Sequence, residues 1–375
     1  MLDLGKKCTA CGACNNVCPN GSISMIEDNE GFLYPVINFN TCTKCGLCEK
    51  VCPVINKIKL KDKLEPKIYA AWTLNEELRF NSTSGGLFTE IAKIVISKGG
   101  YVVGARYNHN HLVEHAIIKD EQSISLLRQS KYVQSEIGYT FKEVKSRLEN
   151  NEYVMFVGTP CECAGLLCFL NKEYEKLLVC DFICRGANSP KAYNKYLLSK
   201  KEQYNSNVKK VWFKNKINGW NKFGTKIEFD NGKEYYADRY TDTFMTGYLK
   251  YNLFIRSSCS DCKFKGFPRV SDITLADYWG IKIEDENINT DKGTSLVIIN
   301  SFKGQEYFNS LAGKIYKVDG DLNLALQYNP CAVKSISMGE YRDYFFNNID
   351  NIDFDELIND IAIKHNKRID SLLKI

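Results

Sequence analysis

The sequence predicts a protein of mixed α+β and α/β class, with a small cysteine-rich module at its N-terminus and a larger body after it. Three observations predict this. The first 53 residues hold eight cysteines in two runs of equal spacing. From 153 to 182, β-rich and helical stretches alternate, which is typical of a parallel or mixed sheet. The 375 residues, 44% of them hydrophobic, are enough for two or three domains with a sizeable core.

Each cysteine run has the spacing Cys-x2-Cys-x2-Cys-x3-Cys-Pro, the ligand pattern of a ferredoxin with two 4Fe-4S clusters. In this pattern three closely spaced thiolates bind one cubane, and the fourth, before the proline, binds the other. We name the two predicted sites cluster I and cluster II. Cluster I is expected on Cys8, Cys11, Cys14 and Cys52, and cluster II on Cys42, Cys45, Cys48 and Cys18.

Two alternatives for these cysteines are a disulfide framework and a pair of zinc sites. A disulfide framework needs an oxidising compartment, yet Met1 is followed so soon by a cluster ligand that a secretory signal has no room. Zinc ribbons use two separated cysteine pairs and leave half of each run unexplained. Since no apolar run approaches the roughly 18 residues that span a bilayer, we expect a cytoplasmic protein without a transmembrane segment.

The formal net charge of +5 does not indicate a nucleic-acid partner. An oxidised cubane with four thiolates carries about −2, so two or three clusters would bring the loaded protein to roughly +1 or −1. The lysines are scattered, with no long block of like charge. We therefore expect metal and redox chemistry and no nucleic acid.

A charged stretch over 56–66 ends in proline and suits a linker, so we place a domain boundary near residue 64, between a module at 1–63 and a body at 64–375. The body divides into parts at about 64–145 and 146–340 and an amphipathic helix at 354–373, which covers the core or a contact between subunits in a possible homo-oligomer. Its predicted strands are 68–72, 101–105, 153–157, 177–182, 273–276 and 295–300, with a hairpin over 226–236 turned at Asn231-Gly232; the predicted helices are 87–98, 163–170, 243–251 and one from about 304.

Two glycine turns favour a cofactor. The turn from Ser82 to Gly86 lies at the start of a predicted helix, where hydroxyls, free amides and the helix dipole favour a phosphate; a plain N-terminal cap is the alternative. The turn from Gly158 through Thr159 and Pro160 closes a buried strand and opens a helix, where open α/β sheets bind ligands; it too is consistent with a simple turn. Neither matches a dinucleotide or Walker loop, so a Rossmann nicotinamide site is unsupported.

Eight further cysteines lie outside the module. Cys259 and Cys262 form a Cys-x2-Cys pair, and with Cys161 and Cys184, each at the end of a predicted strand, they could make a third four-thiolate site. The alternative is that Cys161 and Cys184 are small buried residues. We assign the remaining four, Cys163, Cys168, Cys180 and Cys331, to the buried structural class.

Two weaker candidates are polar. His109, His111 and His115 lie close together in sequence, and a polar turn between two strands is favoured over a metal site. Asp277 follows a strand and begins an Asp-Tyr-Trp-Gly run. This run is a candidate flavin contact, although its aromatic residues could equally close the core.

Six short motifs follow one another along the body: Ser84-Gly85-Gly86, 130–135 (SKYVQS), 158–161 (GTPC), 183–186 (ICRG), 258–264 (SCSDCKF) and 271–280 (SDITLADYWG). With the N-terminal module they resemble the coenzyme F420 hydrogenase/dehydrogenase beta-subunit family, in its bacterial form, over nearly the whole chain. The resemblance departs at Arg185, because bacterial relatives usually have His-Gly where this chain has Arg-Gly. The role of that position is therefore open.

The resemblance implies non-covalent FAD and a third 4Fe-4S cluster on Cys161, Cys184, Cys259 and Cys262. Relatives act on reduced deazaflavin, sulfite-reducing systems or chlorophyll intermediates, and similar bacterial members are often associated with polysaccharide biosynthesis. Lys131 would supply a point charge to FAD. The expected FAD-binding residues are Ser82, Ser84, Gly85, Gly86, Lys131, Tyr132, Gly158, Thr159, Pro160 and Asp277.

We therefore predict an iron-sulfur flavoprotein oxidoreductase that transfers electrons between ferredoxin, or another redox partner protein, and a small organic substrate. Clusters move single electrons whereas organic substrates take two, so a flavin is needed to join them. The alternatives are a non-catalytic electron-transfer subunit of a hydrogenase or dehydrogenase, a reductase serving polysaccharide biosynthesis, and a structural metal scaffold. The sequence indicates no catalytic residue.

Overall fold

The structure, a computed structural model, describes residues 3–56, 58, 63–283 and 288–372. The strands are β1 (Ile23–Glu27), β2 (Leu33–Ile37), β3 (Lys63–Thr73), β4 (Tyr101–Tyr107), β5 (Val113–Ile118), β6 (Val154–Gly158), β7 (Leu177–Phe182), β8 (Val208–Asn215), β9 (Gly224–Phe229), β10 (Glu234–Asp238), β11 (Ile273–Asp277), β12 (Ser295–Ser301) and β13 (Ile315–Asp319). The helices are α1 (Ala13–Val17), α2 (Leu47–Lys50), α3 (Glu76–Phe80), α4 (Leu87–Ser97), α5 (Ile124–Leu127), α6 (Thr140–Glu149), α7 (Pro160–Leu170), α8 (Pro190–Tyr204), α9 (Thr243–Leu249), α10 (Phe302–Asn309), α11 (Leu322–Tyr328), α12 (Arg342–Asn348) and α13 (Phe354–Leu372).

An eight-stranded mixed sheet organises the body, in the order β13-β3-β12-β11-β7-β6-β4-β5. The four central strands β11, β7, β6 and β4 run parallel, and the outer pairs are antiparallel. All six strands predicted for the body lie in this sheet, so the predicted mixed α/β class is confirmed. The strands β5 and β13 at its two edges were not predicted.

The parallel strands bring their carboxyl ends to one edge of the sheet. Gly158 at the end of β6 is in register with Asp181 of β7, and Asp277 at the end of β11 is in register with Ser295, the first residue of β12. Open α/β sheets bind ligands at this edge because the loops and helix starts that follow the strands converge there. We call it the carboxyl edge.

The helix after β6 starts three residues earlier than predicted. Thr159 caps it by accepting a hydrogen bond from the Glu162 amide, and the Glu162 side chain accepts one from the Thr159 amide in return. Pro160 then takes the first helical position, where its missing N–H costs no hydrogen bond. Cys161 therefore lies in the first turn of α7 and not in a loop.

A separate part of the core, outside the eight-stranded sheet, is rich in aromatic residues. The hairpin of β9 and β10 is confirmed, and β8 completes a three-stranded sheet with it. Helices α8, α9 and α13 pack beside this sheet around Tyr193, Phe213, Phe244 and Phe254. The predicted C-terminal helix is confirmed as far as Leu372, the last described residue. No helix in the described ranges is long and apolar enough to cross a membrane.

The N-terminal module is docked tightly on the body. Asn16 of α1 donates a hydrogen bond to the Gly138 carbonyl at 2.8 Å, and its side-chain oxygen accepts one from the Lys142 amide at 3.2 Å. Gly165 of α7 lies against Cys11, so close that a Cβ added to it would be 2.8 Å from the Cys11 sulfur. Residues 57 and 59–62 of the predicted linker lie outside the described ranges, so the boundary near residue 64 stays a prediction.

Replacing Gly165 by Ala should destabilise the protein by about 1–3 kcal/mol, because the new methyl group overlaps Cys11 in a packed interface. Denaturant unfolding of the cluster-loaded protein measures this. Gly104→Ala is the matched control, because a Cβ there would meet its nearest neighbour at an ordinary 3.6 Å. Equal stability of the two variants would contradict the proposed close contact.

Candidate functional site

The four cysteines predicted for cluster I line one cavity. The thiols of Cys8, Cys11, Cys14 and Cys52 surround it together with the apolar residues Leu4, Met25 and Val54. All four cysteines are buried. The last of them comes from the second sequence run, so the structure brings the two runs together in the crossed arrangement that the spacing predicts.

A second cavity is lined by the four cysteines predicted for cluster II. Cys18, from the first run, meets Cys42, Cys45 and Cys48 of the second. This cavity differs from the first in its access to solvent, because Cys45 is exposed and the other three cysteines are half-buried. The module thus has one inner and one outer thiol set.

Burial disfavours thiolates in the inner set. Together with the neighbouring Cys8 thiol, it raises the pKa of Cys14 to about 12. Backbone amides donate hydrogen bonds to two sulfurs of the module: the Ala10 amide to the Cys8 sulfur at 3.4 Å, and the Ser22 amide to the Cys18 sulfur at 3.2 Å. Such amides are the donors that tune iron-sulfur clusters. Four thiolates in this enclosed space need a cationic metal centre to offset them.

The third predicted cysteine set lies on three segments: Cys161 in α7, Cys184 shortly after β7, and Cys259 and Cys262 within and directly after the 3-10 turn Ser257–Asp261. Burial raises the pKa of Cys161, and the Cys184 and Cys262 thiols raise it further; Cys184 is affected in the same way by Cys259 and Cys262. Cys259 lies in the 3-10 turn Ser257–Asp261 and accepts a hydrogen bond at its sulfur from the Ala187 amide at 3.5 Å. These mutual effects on the pKa link the four cysteines in pairs, and their assembly into one site stays a prediction.

The four cysteines assigned to the structural class lie outside this set. Cys163 and Cys180 are fully buried, and the Cys163 thiol donates to the carbonyls of Gly158 and Cys180 at 3.6 and 3.5 Å. Cys168 is half-buried near Cys52 of the inner thiol set. The carbonyl of Cys331 accepts a hydrogen bond from Lys265 at 2.7 Å.

The histidines do not form a metal site. The stretch 108–112 connects β4 to β5, which is the predicted polar turn. The ring of His111 bonds the Val208 carbonyl at 2.7 Å, and the ring of His115 lies 2.7 Å from the Ser135 hydroxyl. In the described ranges, no three His, Cys, Asp or Glu side chains are arranged to hold a single metal ion; the module's cysteines surround cavities instead.

The turn from Ser82 to Gly86 precedes α4 as predicted, but its hydroxyls do not cap the helix. The N-cap is Gly86, in the left-handed region at φ +87° with no side-chain cap. Ser82 donates to the Leu78 carbonyl at 2.8 Å, and Ser84 donates to the Thr294 carbonyl at 2.7 Å. Gly85 has to be glycine, because a Cβ there would lie 2.4 Å from the Ala71 carbonyl oxygen.

The predicted Lys131-Tyr132 segment lies on this turn. The Ser130 amide donates to the Thr83 hydroxyl at 2.9 Å. Lys131 is buried, and its ammonium donates to the carbonyls of Arg128 and Gln129 at 3.0 and 3.2 Å. Burial lowers the pKa of Lys131 to about 7. Burial and the nearby Asp277 carboxylate raise the pKa of Tyr132.

Sequence reasoning missed Lys214 and Lys216, which approach the same region from β8. Lys216 is buried and donates to the carbonyls of Arg79, Ser84 and Lys292 at 2.6, 2.9 and 2.9 Å. Burial lowers its pKa to about 7. The Asp277 and Glu76 carboxylates act on Lys216 only as weaker influences that raise its pKa. Among the described residues, the hydrogen-bond acceptors of the Lys216 and Lys131 ammonium groups are main-chain carbonyls. Their neighbourhood, with the turn 82–86, is called the cationic recess below. The sequence signal that could have identified Lys214 and Lys216 is their position shortly after the aromatic residues Trp212 and Phe213.

Asp277, a predicted flavin contact, has both carboxylate oxygens engaged by protein groups. One accepts from Lys214 at 2.6 Å and the other from the Trp220 indole at 3.1 Å. Trp220 in turn stacks on Trp279 with ring centres 4.1 Å apart. Tyr278 is fully buried and closes the core, which is the alternative interpretation of this motif.

The remaining predicted residues lie at the carboxyl edge without touching the turn 82–86. Gly158 needs to be small, because a Cβ would lie 2.9 Å from the Glu162 carboxylate. Thr159 and Pro160 form the start of α7. Arg185, where relatives have histidine, donates to Asn252 at 2.6 Å and to the Leu249 carbonyl at 3.0 Å, so its guanidinium is held by the end of α9.

Two family models match this chain. Residues 151–319 match the C terminus of the coenzyme F420 hydrogenase/dehydrogenase beta subunit, and residues 7–56 match a 4Fe-4S dicluster domain. Among solved structures, a chain of the F420-reducing NiFe hydrogenase complex from Methanosarcina barkeri is 14% identical with a TM-score of 0.49, over 73% of this chain and 88% of that chain. No curated protein sequence matches.

Lys216→Met should change how stability depends on pH in cofactor-free protein. The folded-state pKa of Lys216, about 7, lies below its ordinary value of 10.5, so the unfolded chain holds a proton that the folded site sheds. The free energy of unfolding therefore rises with pH from about 7, by at most about 1.4 kcal/mol per pH unit for this group. Denaturant unfolding between pH 7 and 8.5 should show the free energy of unfolding of the wild type increasing relative to that of the variant. If the difference between the two proteins stays constant with pH, the lowered pKa of Lys216 is contradicted.

Proposed function

We propose that the chain is a flavin-dependent iron-sulfur oxidoreductase, because residues 151–319 match the C terminus of the coenzyme F420 hydrogenase/dehydrogenase beta subunit and residues 7–56 match a 4Fe-4S dicluster domain. It would exchange single electrons with ferredoxin or a similar redox protein and transfer electron pairs to or from a small organic substrate. One observation supports this proposal most directly: two cavities, each lined by four cysteines, lie in a module that is docked on the body through Cys11 and Gly165.

The three thiol sets would hold three 4Fe-4S clusters. Cluster I takes the inner set and cluster II the outer set, with Cys52 and Cys18 exchanged between the two runs. The third cluster takes Cys161, Cys184, Cys259 and Cys262, all of which fall inside the matched family region. When bound, the clusters carry single electrons and FAD passes one or two, which is the conversion that the reaction needs.

Helix α7 supports a route from the module to the body. Its Gly165 contacts Cys11 of the inner set, and its Cys161 belongs to the third set. Four residues of helix rise by about 6 Å, so one helical turn separates these two positions. The exposed outer set is where an external redox protein would approach, whereas the inner set is the one that contacts α7, through Cys11 and Gly165.

The cationic recess fits the phosphates of FAD. Lys216 and Lys131 are buried ammonium groups whose partners are neutral carbonyls. Burying a charge without an opposite charge is costly, and an anion removes that cost. The turn with Ser84, Gly85 and Gly86 adds a helix N-terminus that also favours anions. Tyr132 and the Gly158–Pro160 turn would lie nearer the flavin ring, with Asp277 holding Lys214 and Trp220 in place.

Protein purified without oxygen should contain non-covalent FAD in near-equimolar amount, which fluorescence of the heat-released supernatant measures. Lys131→Met should retain less FAD after gel filtration with unchanged iron, because one of the two unpaired cations is gone. Lys98→Met, at an exposed lysine at the far end of α4, is the matched control.

Protein with intact clusters but no flavin would overturn the flavoenzyme proposal. Equal FAD retention in the Lys131 and Lys98 variants would return Lys131 to a structural role. If FAD is present but the reduced, isolated chain turns over no organic acceptor, including deazaflavin, the chain is instead an electron-transfer subunit.

Fully reconstituted protein should hold about 12 iron atoms per chain, against about 8 for the dicluster module alone. Cys259→Ala should lose about four of them and leave the module's clusters intact, and reduction of the flavin by reduced ferredoxin should slow. Cys180→Ala, in the sheet interior, is the control and should keep all its iron. Full iron content in the Cys259 variant would remove the third cluster from the proposal.

A further inference from the structure

Arg256 is a buried cation that the proposed chemistry leaves unexplained. It is 1% exposed and immediately precedes the turn that contains Cys259. Its side chain reaches into the module, where it donates to the Cys8 carbonyl at 2.8 Å and to the Leu33 carbonyl at 2.9 Å. The third donor goes to the Gln134 side-chain oxygen at 2.9 Å. One guanidinium thus joins the inner thiol set to the body.

All three acceptors of Arg256 are neutral. The rings of Tyr34 and Phe32 face the guanidinium at 4.2 and 5.4 Å, and no carboxylate in the described part of the chain forms a salt bridge with it. A second buried arginine at the same interface is different: Arg342 is paired with the carboxylate of Glu30. Burial of a lone charge costs several kcal/mol, so Arg256 requires a negative charge that the polypeptide does not supply.

The inner thiol set is positioned to supply that charge. Cys8, whose carbonyl Arg256 holds, lines the cavity of cluster I. An oxidised cubane with four thiolates carries about −2, and one added electron makes it about −3. A fixed cation nearby therefore stabilises the reduced state more than the oxidised one, and low dielectric and exclusion of water strengthen the effect.

Among the described residues that line the outer cavity, none is a buried cation. Lys44 lines the cavity of cluster II, but it is exposed to solvent, which screens its charge. The two clusters of one module, alike in ligands and spacing, thus differ in the fixed charge beside them. This difference in fixed charge favours the state in which cluster I, and not cluster II, holds the added electron.

We propose that Arg256 is the built-in counter-charge of cluster I, a positioning residue that raises the reduction potential of this cluster above that of cluster II. An electron delivered to the outer cluster by a one-electron redox protein then moves inward: cluster II is oxidised, cluster I is reduced, and no bond or proton changes. This inference needs the dicluster domain and does not depend on the flavin. Arg256 also lowers the pKa of the nearby Cys259 thiol, so the test follows the signals of clusters I and II themselves.

Gln134→Glu tests the proposal without removing Arg256. The side-chain nitrogen of Gln134 has no hydrogen-bond partner among the described residues, so replacing it by oxygen breaks no contact. The new carboxylate would pair with Arg256 and cancel its charge. EPR-monitored redox titration at pH 8 should show cluster I shifted to a more negative potential and cluster II unchanged. Cys45→Ala, at the outer set, identifies which signal belongs to cluster II.

Gln134→Met is the control for the contact itself, because it removes the oxygen that accepts the hydrogen bond from Arg256 without adding a charge. It should leave both potentials near the wild-type values. Arg256→Gln should shift cluster I in the same direction as Gln134→Glu, and Arg256→Lys, which keeps the charge, should shift it less. An unshifted cluster I in Gln134→Glu, or an equal shift in Gln134→Met, would overturn the proposal and leave Arg256 as a structural link only.

Discussion

The close contact between Gly165 and Cys11 is the constraint on which the rest of the arrangement depends. A Cβ at Gly165 would lie 2.8 Å from both the sulfur and the Cβ of Cys11, so α7 can approach the module only where it has no side chain. The capping of α7 by Thr159 and Glu162 fixes where this helix starts, and its start fixes Cys161. One short helix therefore sets the spacing between the inner thiol set and the carboxyl edge of the sheet.

At that edge, charge is distributed unevenly. Lys214 is paired with Asp277, whereas Lys216 and Lys131 have only carbonyl partners. The protein thus has both a neutral ion pair and uncompensated cations within one region. The Lys214–Asp277 pair needs no further partner, whereas a bound anion would stabilise the charged forms of Lys216 and Lys131. We therefore assign Lys214 a supporting role and treat Lys216 and Lys131 as candidate binding residues.

The sequence predicted the parts of the molecule that depend on local spacing. The cysteine runs specify the two thiol sets of the module, and the six body strands follow from runs of β-rich residues. It could not predict β13, whose place at the edge of the sheet depends on pairing with β3 about 250 residues earlier. Nor could it find Lys216 or Arg256, because a lysine or arginine is ordinarily exposed and only tertiary packing buries it. The start of α7 was predicted three residues late, since Gly158-Thr159-Pro160 reads equally well as a turn.

The unequal exposure of the two thiol sets also determines which of them oxidants reach first. Cys45 is exposed while every cysteine of the inner set is buried, so dioxygen, peroxide and chelators reach the outer set first. If the proposed function holds, oxidative damage would begin at cluster II, where the redox protein would deliver electrons, and would spare cluster I. A damaged molecule is disconnected from its electron source before its inner centres are exposed, so it stops accepting electrons that it could otherwise leak to oxygen.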